Sequence, residues 1–504
     1  MKYVKIFCNG LILLCLVFQG CAGLSRTSET ELPGQMRSHR RFLSTLDAAV
    51  DRAGVRDAAA VPVKGFPWLR GNRFLAAMKA RLDSPEARSF WLRRLQALDL
   101  AARRKEVANL PDHAIRALSE RNDPDRQALF NRVWEASEAL MTGEITPPGY
   151  FDAVRAALEI PDEYETVMRA VGLYPVASVP VALLTHRVRR KFLRWHESPP
   201  ESLPVSGELR YYLPAPSADA SPASPGGPFA GTERDPLGLP RLPQAEKARL
   251  AARFAPALVQ DTAAPYDRWG EIVWDGDTLK IDGKLPTVYY YFSHAFFRGN
   301  PVLQISYVIW YPERNGPEAP WIERGTPDGL TIRVSLDTAG VPFMADVMNT
   351  CGCYHFFMPR KEEVERIVSP HGGLPPFVPR WLPEDIPGSR LCLRVSSGWH
   401  QVMRVSTAKA SDPVARSYHL VPYGVLEALP RNTGGTASMF DDRGIAKGSD
   451  RIEPLIFFPM GIPNVGSMRQ RGHHAIKLVG RAHFDDPALF DSNFVFKTPP
   501  SDNP

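Results

Sequence analysis

Residues 330–347 read Leu330-Thr331-Ile332-Arg333-Val334-Ser335-Leu336-Asp337-Thr338-Ala339-Gly340-Val341-Pro342-Phe343-Met344-Ala345-Asp346-Val347. Ile332, Val334 and Leu336 alternate with Thr331, Arg333 and Ser335. This period of two sends one set of side chains to a core and the other toward water. Asp337 to Gly340 supplies turn residues, so a hairpin into 341–347 is expected. Strand-like runs also occur at 287–296, 302–311, 351–358, 391–396, 399–406 and 475–479, after a helical stretch at 244–258. Residues 244–496 therefore read as a β-rich, mostly antiparallel domain, with a tail at 497–504.

Upstream the period lengthens. Asp83-Ser84-Pro85 is a helix start, and Trp91, Leu95, Leu98 and Ala102 share one face behind it. Asp123-Pro124 opens another helix, with Leu129, Val133, Ala136 and Leu140 in one stripe. Residues 45–196 read as an N-terminal helical bundle. Between them and the β-rich domain, residues 199–243 hold eleven of the 48 prolines. Such a run neither holds a helix nor donates fully to a sheet, so 197–243 is expected to be a Pro-rich linker. Leu209 to Leu213 is its one strand-like stretch, expected at a sheet edge. The fold class is α+β.

One helical stretch is unusual. Residues 172–184 are apolar but interrupted by Pro175 and Pro180, and run into a segment rich in arginine. Leu184, Val188, Phe192 and Trp195 share a face, with basic residues opposite. Over 183–195 this pattern suits either contact with an anionic membrane surface or packing on the chain's own core.

The first twenty residues have the anatomy of an export signal: Lys2 and Lys5, then an apolar run from Leu11 to Phe18, then Gly20 before Cys21. Eight apolar residues are too few to span a bilayer, which takes about 20. Phe18-Gln19-Gly20-Cys21 resembles the box that ends the signal of bacterial lipoprotein precursors. The resemblance implies cleavage before Cys21, acylation of its thiol, and a place in the bacterial cell envelope. Ala22 after the Cys implies the outer membrane, facing the periplasm. Residues 21–44 then read as a polar tether.

Composition excludes some roles. A formal charge of +6 over 504 residues is no nucleic-acid footprint. His-Glu-x-x-His, Gly-x-Ser-x-Gly and Gly-x-Gly-x-x-Gly are missing from the sequence. Ser406-x-x-Lys409 lacks the Lys-Thr-Gly strand of penicillin-binding enzymes, because Pro499 follows Lys497-Thr498. No cofactor is identified, and a protein or polymer partner is left open.

Asn349-Thr350-Cys351-Gly352-Cys353-Tyr354-His355 concentrates nucleophiles and soft ligands. On a strand the sulfur-bearing positions lie ~6.6 Å apart at Cβ, against about 3.8 Å in a disulfide, so Cys351 and Cys353 bridge only if Gly352 bends the chain. Four uses stay open: a disulfide from Cys392 to Cys351 or Cys353, buried thiols, a metal site, and a Cys-dependent hydrolase. Metal ligands would come from Cys353, His355 and His400, with His294, His473 and His474 as further donors. The order Cys353, His400, Asp412 resembles that of papain-like and transglutaminase-like hydrolases. His483, Asp485 and Asp486 suit a divalent cation or a helix start before Pro487.

These readings combine into a lipid-anchored envelope protein that acts as a binding or structural module, with an enzyme centred on Cys351, Cys353 and His355 as the alternative. The chain is expected in the membrane fraction with residues 1–20 removed. Cys21→Ser should stay uncut and lose membrane association, as read by fractionation and by the mass of the N-terminal peptide.

Overall fold

The computed structural model describes residues 34–498, apart from 120–123, 145–148, 217–227, 230, 370–372, 387–388 and 409–415. The signal, Cys21, Lys409 and Asp412 lie outside the described residues. Helices and strands are mixed along the chain, and α+β is the observed class.

The helix Gly34–Ala53 starts inside the stretch read as tether, because Phe42, Leu43, Leu46, Ala49 and Val50 recur at helical spacing and are buried. A hairpin absent from the sequence reading follows, β1 (Val61–Val63) with β2 (Phe66–Gly71). The helix Pro85–Asn109 begins as expected, with Ser84 capping Ala87 N–H at 3.1 Å. It lies against β2, and Trp68, Trp91 and Leu95 share one apolar core with Val133 and Leu140 of the helix Arg126–Glu144.

Charge is buried inside that core. Arg70 donates to both carboxylate oxygens of Glu106 (2.8 and 2.9 Å) and to Asp99 (3.1 Å), while Arg103 donates to the second oxygen of Asp99 at 2.8 Å.

The remaining strands are β3 (Glu208–Pro214), β4 (Ala257–Thr262), β5 (Glu271–Asp275), β6 (Thr278–Asp282), β7 (Thr287–Phe297), β8 (Asn300–Tyr311), β9 (Asp328–Leu336), β10 (Pro342–Asn349), β11 (Phe356–Pro359), β12 (Val364–Ile367), β13 (Arg390–Val395), β14 (Val402–Ala408), β15 (Arg416–Pro422), β16 (Leu429–Pro430), β17 (Thr436–Ala437) and β18 (Phe494–Phe496). Ten form one sheet in the order β11-β10-β9-β8-β7-β15-β3-β4-β13-β14. Its pairings are antiparallel except β7–β15, β15–β3 and β4–β13, which makes the sheet mixed. It curls, so that Val334 and Ala345 near one end meet Leu391 near the other around a small cavity.

The hairpin of β9 and β10 forms as read, with Asp337 N–H to the Val341 carbonyl at 2.8 Å and Gly340 in the left-handed region. Its polar face, however, does not meet water. Every residue of β9 and β10 is buried, because the C-terminal segment covers that face. Arg333 pairs across the strands with Asp346 (2.9 and 2.6 Å) and lies under the Phe484 ring, 3.6 Å from its centroid. Nor is 208–214 an edge: β3 pairs with β4 on one side and β15 on the other, inside the sheet.

The helix Tyr174–Glu197 runs through Pro180, which forfeits one backbone hydrogen bond. Its C-terminal half packs on the sheet's core through Phe192, with Val188 and Trp195 half-buried. Its N-terminal half leaves Val176, Val179 and Leu183 exposed. No described helix is long and apolar enough to cross a membrane.

Asp99→Ala leaves the side-chain N–H groups of Arg70 and Arg103 that face it without their acceptor. It should lower stability by about 3–5 kcal/mol in urea unfolding, with Asp99→Asn recovering part of the loss.

Candidate functional site

The segment 350–355 is a tight turn between β10 and β11, not a strand. Asn349 N–H bonds the Cys353 carbonyl (3.0 Å), Gly352 N–H the Asn349 carbonyl (2.7 Å), and Thr350 N–H the Gly329 carbonyl (2.9 Å). Gly352 has φ +88°, and a Cβ there would sit 2.2 Å from the Ala475 carbonyl oxygen, so only glycine fits. Tyr354 is also left-handed. These two residues fold the chain back and place the Cys353 N–H 3.4 Å from Cys351 Sγ.

Interaction with the Cys353 side chain, helped by the nearby Arg314 guanidinium, draws Cys351 below its ordinary value; the same interaction, with burial, pushes Cys353 well above. Cys351 is buried and Cys353 half-exposed. Cys392 lies elsewhere. On β13 Leu391 and Leu393 face the main core, so alternation turns Cys392 to the opposite face beside Ala257 and Ala408. No disulfide joins it to Cys351 or Cys353.

Beneath the turn is a fully buried ion network. Arg314 makes two bonds to Asp328 (3.1 and 2.8 Å) and one to Glu323 (2.7 Å). Glu323 also accepts from Trp399 Nε1 at 3.0 Å and from the Tyr354 hydroxyl. His400 touches Asp328 through Nδ1 (2.7 Å) and Asp267 through Nε2 (3.3 Å), with Tyr311 stacked on its ring at 3.8 Å. Two carboxylates on two ring nitrogens require both nitrogens to donate. Burial opposes the charge, yet the bonds to Asp267 and Asp328 outweigh it and His400 is raised.

His355 is committed separately, bonding Asp346 at 2.8 Å. The three weak metal candidates Cys353, His355 and His400 are thus each engaged with different partners. Among the described residues no cluster of three or more His, Cys, Asp or Glu is placed to hold a metal ion. Neither thiol hydrogen-bonds a histidine among the described residues.

Other histidines are also engaged. His294 is half-buried against Phe74 and, through desolvation, stays neutral down to about 3. His473 bonds Glu163 (3.0 Å) and the Ala58 carbonyl (2.8 Å), and His474 faces Asp485 at 3.7 Å. His483 reaches Asp162, and Asp486 accepts from Ala488 N–H in a turn ahead of the helix Leu489–Asn493.

A cavity of about 350 Å³ opens above the turn. Leu184, Val188 and Phe192 roof it, Trp321 and Phe377 wall it, and Cys353 lies in its floor. Glu453, which the sequence reading passed over, also lines it. This carboxyl is buried, its Oε2 has no hydrogen-bond partner among the described residues, and burial with nearby Cys351 raises it to about 8. Around the mouth the apolar surface continues: Leu183, Leu184, Trp321 and Leu455 are all at least half exposed, from 50% to 81%. The helix start joins this patch, since Gly172 packs against Pro459.

Fold and site thus define a curled mixed sheet bearing an apolar cavity over a buried ion network. No family model, curated protein or solved structure matches the chain.

His400 gives a pH test. Its folded value exceeds the unfolded one of about 6.5, so its stabilisation is complete below that value and lost as pH rises through the folded value. The urea midpoint of the wild type should fall as pH rises from about 6.5 through the folded value. His400→Gln should be less stable at pH 6 and lose this part of the slope.

Proposed function

We propose that this chain is a lipid-anchored binding protein of the bacterial envelope whose cavity takes the apolar chain of an amphiphile at a membrane surface. The observation that carries the reading is the continuity of the cavity with exposed apolar side chains. Contiguous exposed apolar surface on this scale marks an interaction site, and the cavity falls in the size range of small-molecule sites. In this reading Cys21 holds the chain at the outer membrane, on the periplasmic side. The helix Tyr174–Glu197 roofs the β-rich body, and its basic residues over 183–195 meet anionic headgroups.

Support also comes from the chemistry of the floor. Glu453 is held as a neutral acid at pH 7 and donates to a carbonyl or carboxyl oxygen without bringing a charge into the apolar space. The ion network below it has every charge committed, which suits a rigid binding floor better than a hydrolytic centre.

A fluorescent long-chain fatty acid, titrated into the full Cys21→Ser chain, should bind saturably. Val188→Trp fills the cavity and should weaken binding about tenfold, or about 1.4 kcal/mol. Equal affinity in both proteins, with equal melting temperatures, would place the ligand elsewhere.

A further inference from the structure

Binding leaves the paired thiols in the floor unused. Cys351 and Cys353 line the cavity together, and the left-handed Gly352 turns the chain so that the Cys353 N–H reaches Cys351 Sγ at 3.4 Å, where a strand would hold the two residues apart. We propose that Cys351 and Cys353 are a redox-active dithiol, which closes to an intramolecular disulfide by exchange with a low-molecular-weight disulfide entering the cavity. The inference does not depend on what else the cavity binds.

The geometry distinguishes the two sulfurs. Cys351 Sγ accepts from the Cys353 backbone N–H at 3.4 Å, and the Arg314 guanidinium is nearby. Both favour the thiolate, the attacking form. Cys353 is the more exposed of the two. Attack by the Cys351 thiolate on a disulfide RSSR forms Cys351–S–S–R and releases one thiolate, which takes a proton from water. With Cys351 uncharged in the mixed disulfide, the Cys353 thiol, which lines the same cavity, loses its proton to water. The resulting thiolate attacks Cys351 Sγ and expels the second thiol. Two protein thiols are oxidised and one disulfide is reduced to two thiols, so electrons and protons balance.

The turn itself favours closure in two ways. Gly352 packs against the Ala475 carbonyl and Thr350 is tied to β9, so the backbone is already bent. Cys392, on the far face of β13, is placed to take no part.

The test equilibrates the full Cys21→Ser chain with glutathione and its disulfide over a range of ratios, then alkylates and maps thiols by mass. Cys351 and Cys353 should become unreactive together, in one two-electron transition, while Cys392 does not change. Cys353→Ser should accumulate the mixed disulfide on Cys351. Unchanged circular dichroism in this variant excludes misfolding as the cause. The proposal is overturned if both thiols still alkylate in excess glutathione disulfide, if a glutathione adduct settles on Cys353 without closure, or if Cys392 is consumed in their place.

Discussion

The guanidinium of Arg314 holds one end of the sheet together. It is buried in full, and a lone charge there would cost several kcal/mol even after relaxation. Asp328 and Glu323 offset that cost; burial pushes Asp328 up, but Arg314 and His400 beside it hold its carboxyl well below the usual carboxylate range. Each carboxylate is then shared: Asp328 with His400, Glu323 with Tyr354 and Trp399. The shape of the cavity floor follows from this sharing. Tyr354 can hold its left-handed backbone because its hydroxyl is pinned at Glu323, and with it the thiol-bearing turn stays folded back.

Two further buried clusters repeat the device. Arg70, Asp99, Arg103 and Glu106 register the helix Pro85–Asn109 on β2, and Lys105 on the same helix pairs with Glu427, which also binds Arg471 at 2.8 Å. Arg333 and Asp346 tie β9 to β10, while Arg333 also donates to the Phe484 carbonyl at 2.5 Å. In each case a planar guanidinium spans segments that are distant in sequence, as its fork of donors allows. Apolar packing sets the volume of the core, and these ion clusters set which surfaces meet.

Local signals were enough for the hairpin at 330–347 and for the helix after Ser84, since alternation and capping act within a few residues. Where the reading and the structure part, the cause is distant. Arg333 alternates like a solvent residue, yet the segment around Phe484, some 150 positions later, covers it. Residues 351–358 have strand composition, but the contact between Gly352 and Ala475 makes a turn of their first half. Glu453 belongs to a five-residue helix, Glu453–Phe457, too short to show a period. Its isolation arises only when Gly466 and the Cys351 turn close around it. The cysteine-rich run was legible as a place of interest; its chemistry needed the fold. Signals that were present for the network were charged residues beside apolar strands, Arg314 before β9 and Asp328 at its start.

The position of β3 has a consequence for synthesis. Its two neighbours are β4, about 50 residues on, and β15, which begins at Arg416, about 200 residues on. About 135 residues separate β4 from its parallel partner β13. β7, β3 and β4 therefore each lack one neighbour until β13 and β15, about four fifths of the way along the chain, have been made, and closing such long loops is slow. The order of strands acts as a clock: a nascent chain of this topology remains open, and in reach of whatever machinery handles unfolded polypeptides, until its translation is nearly over.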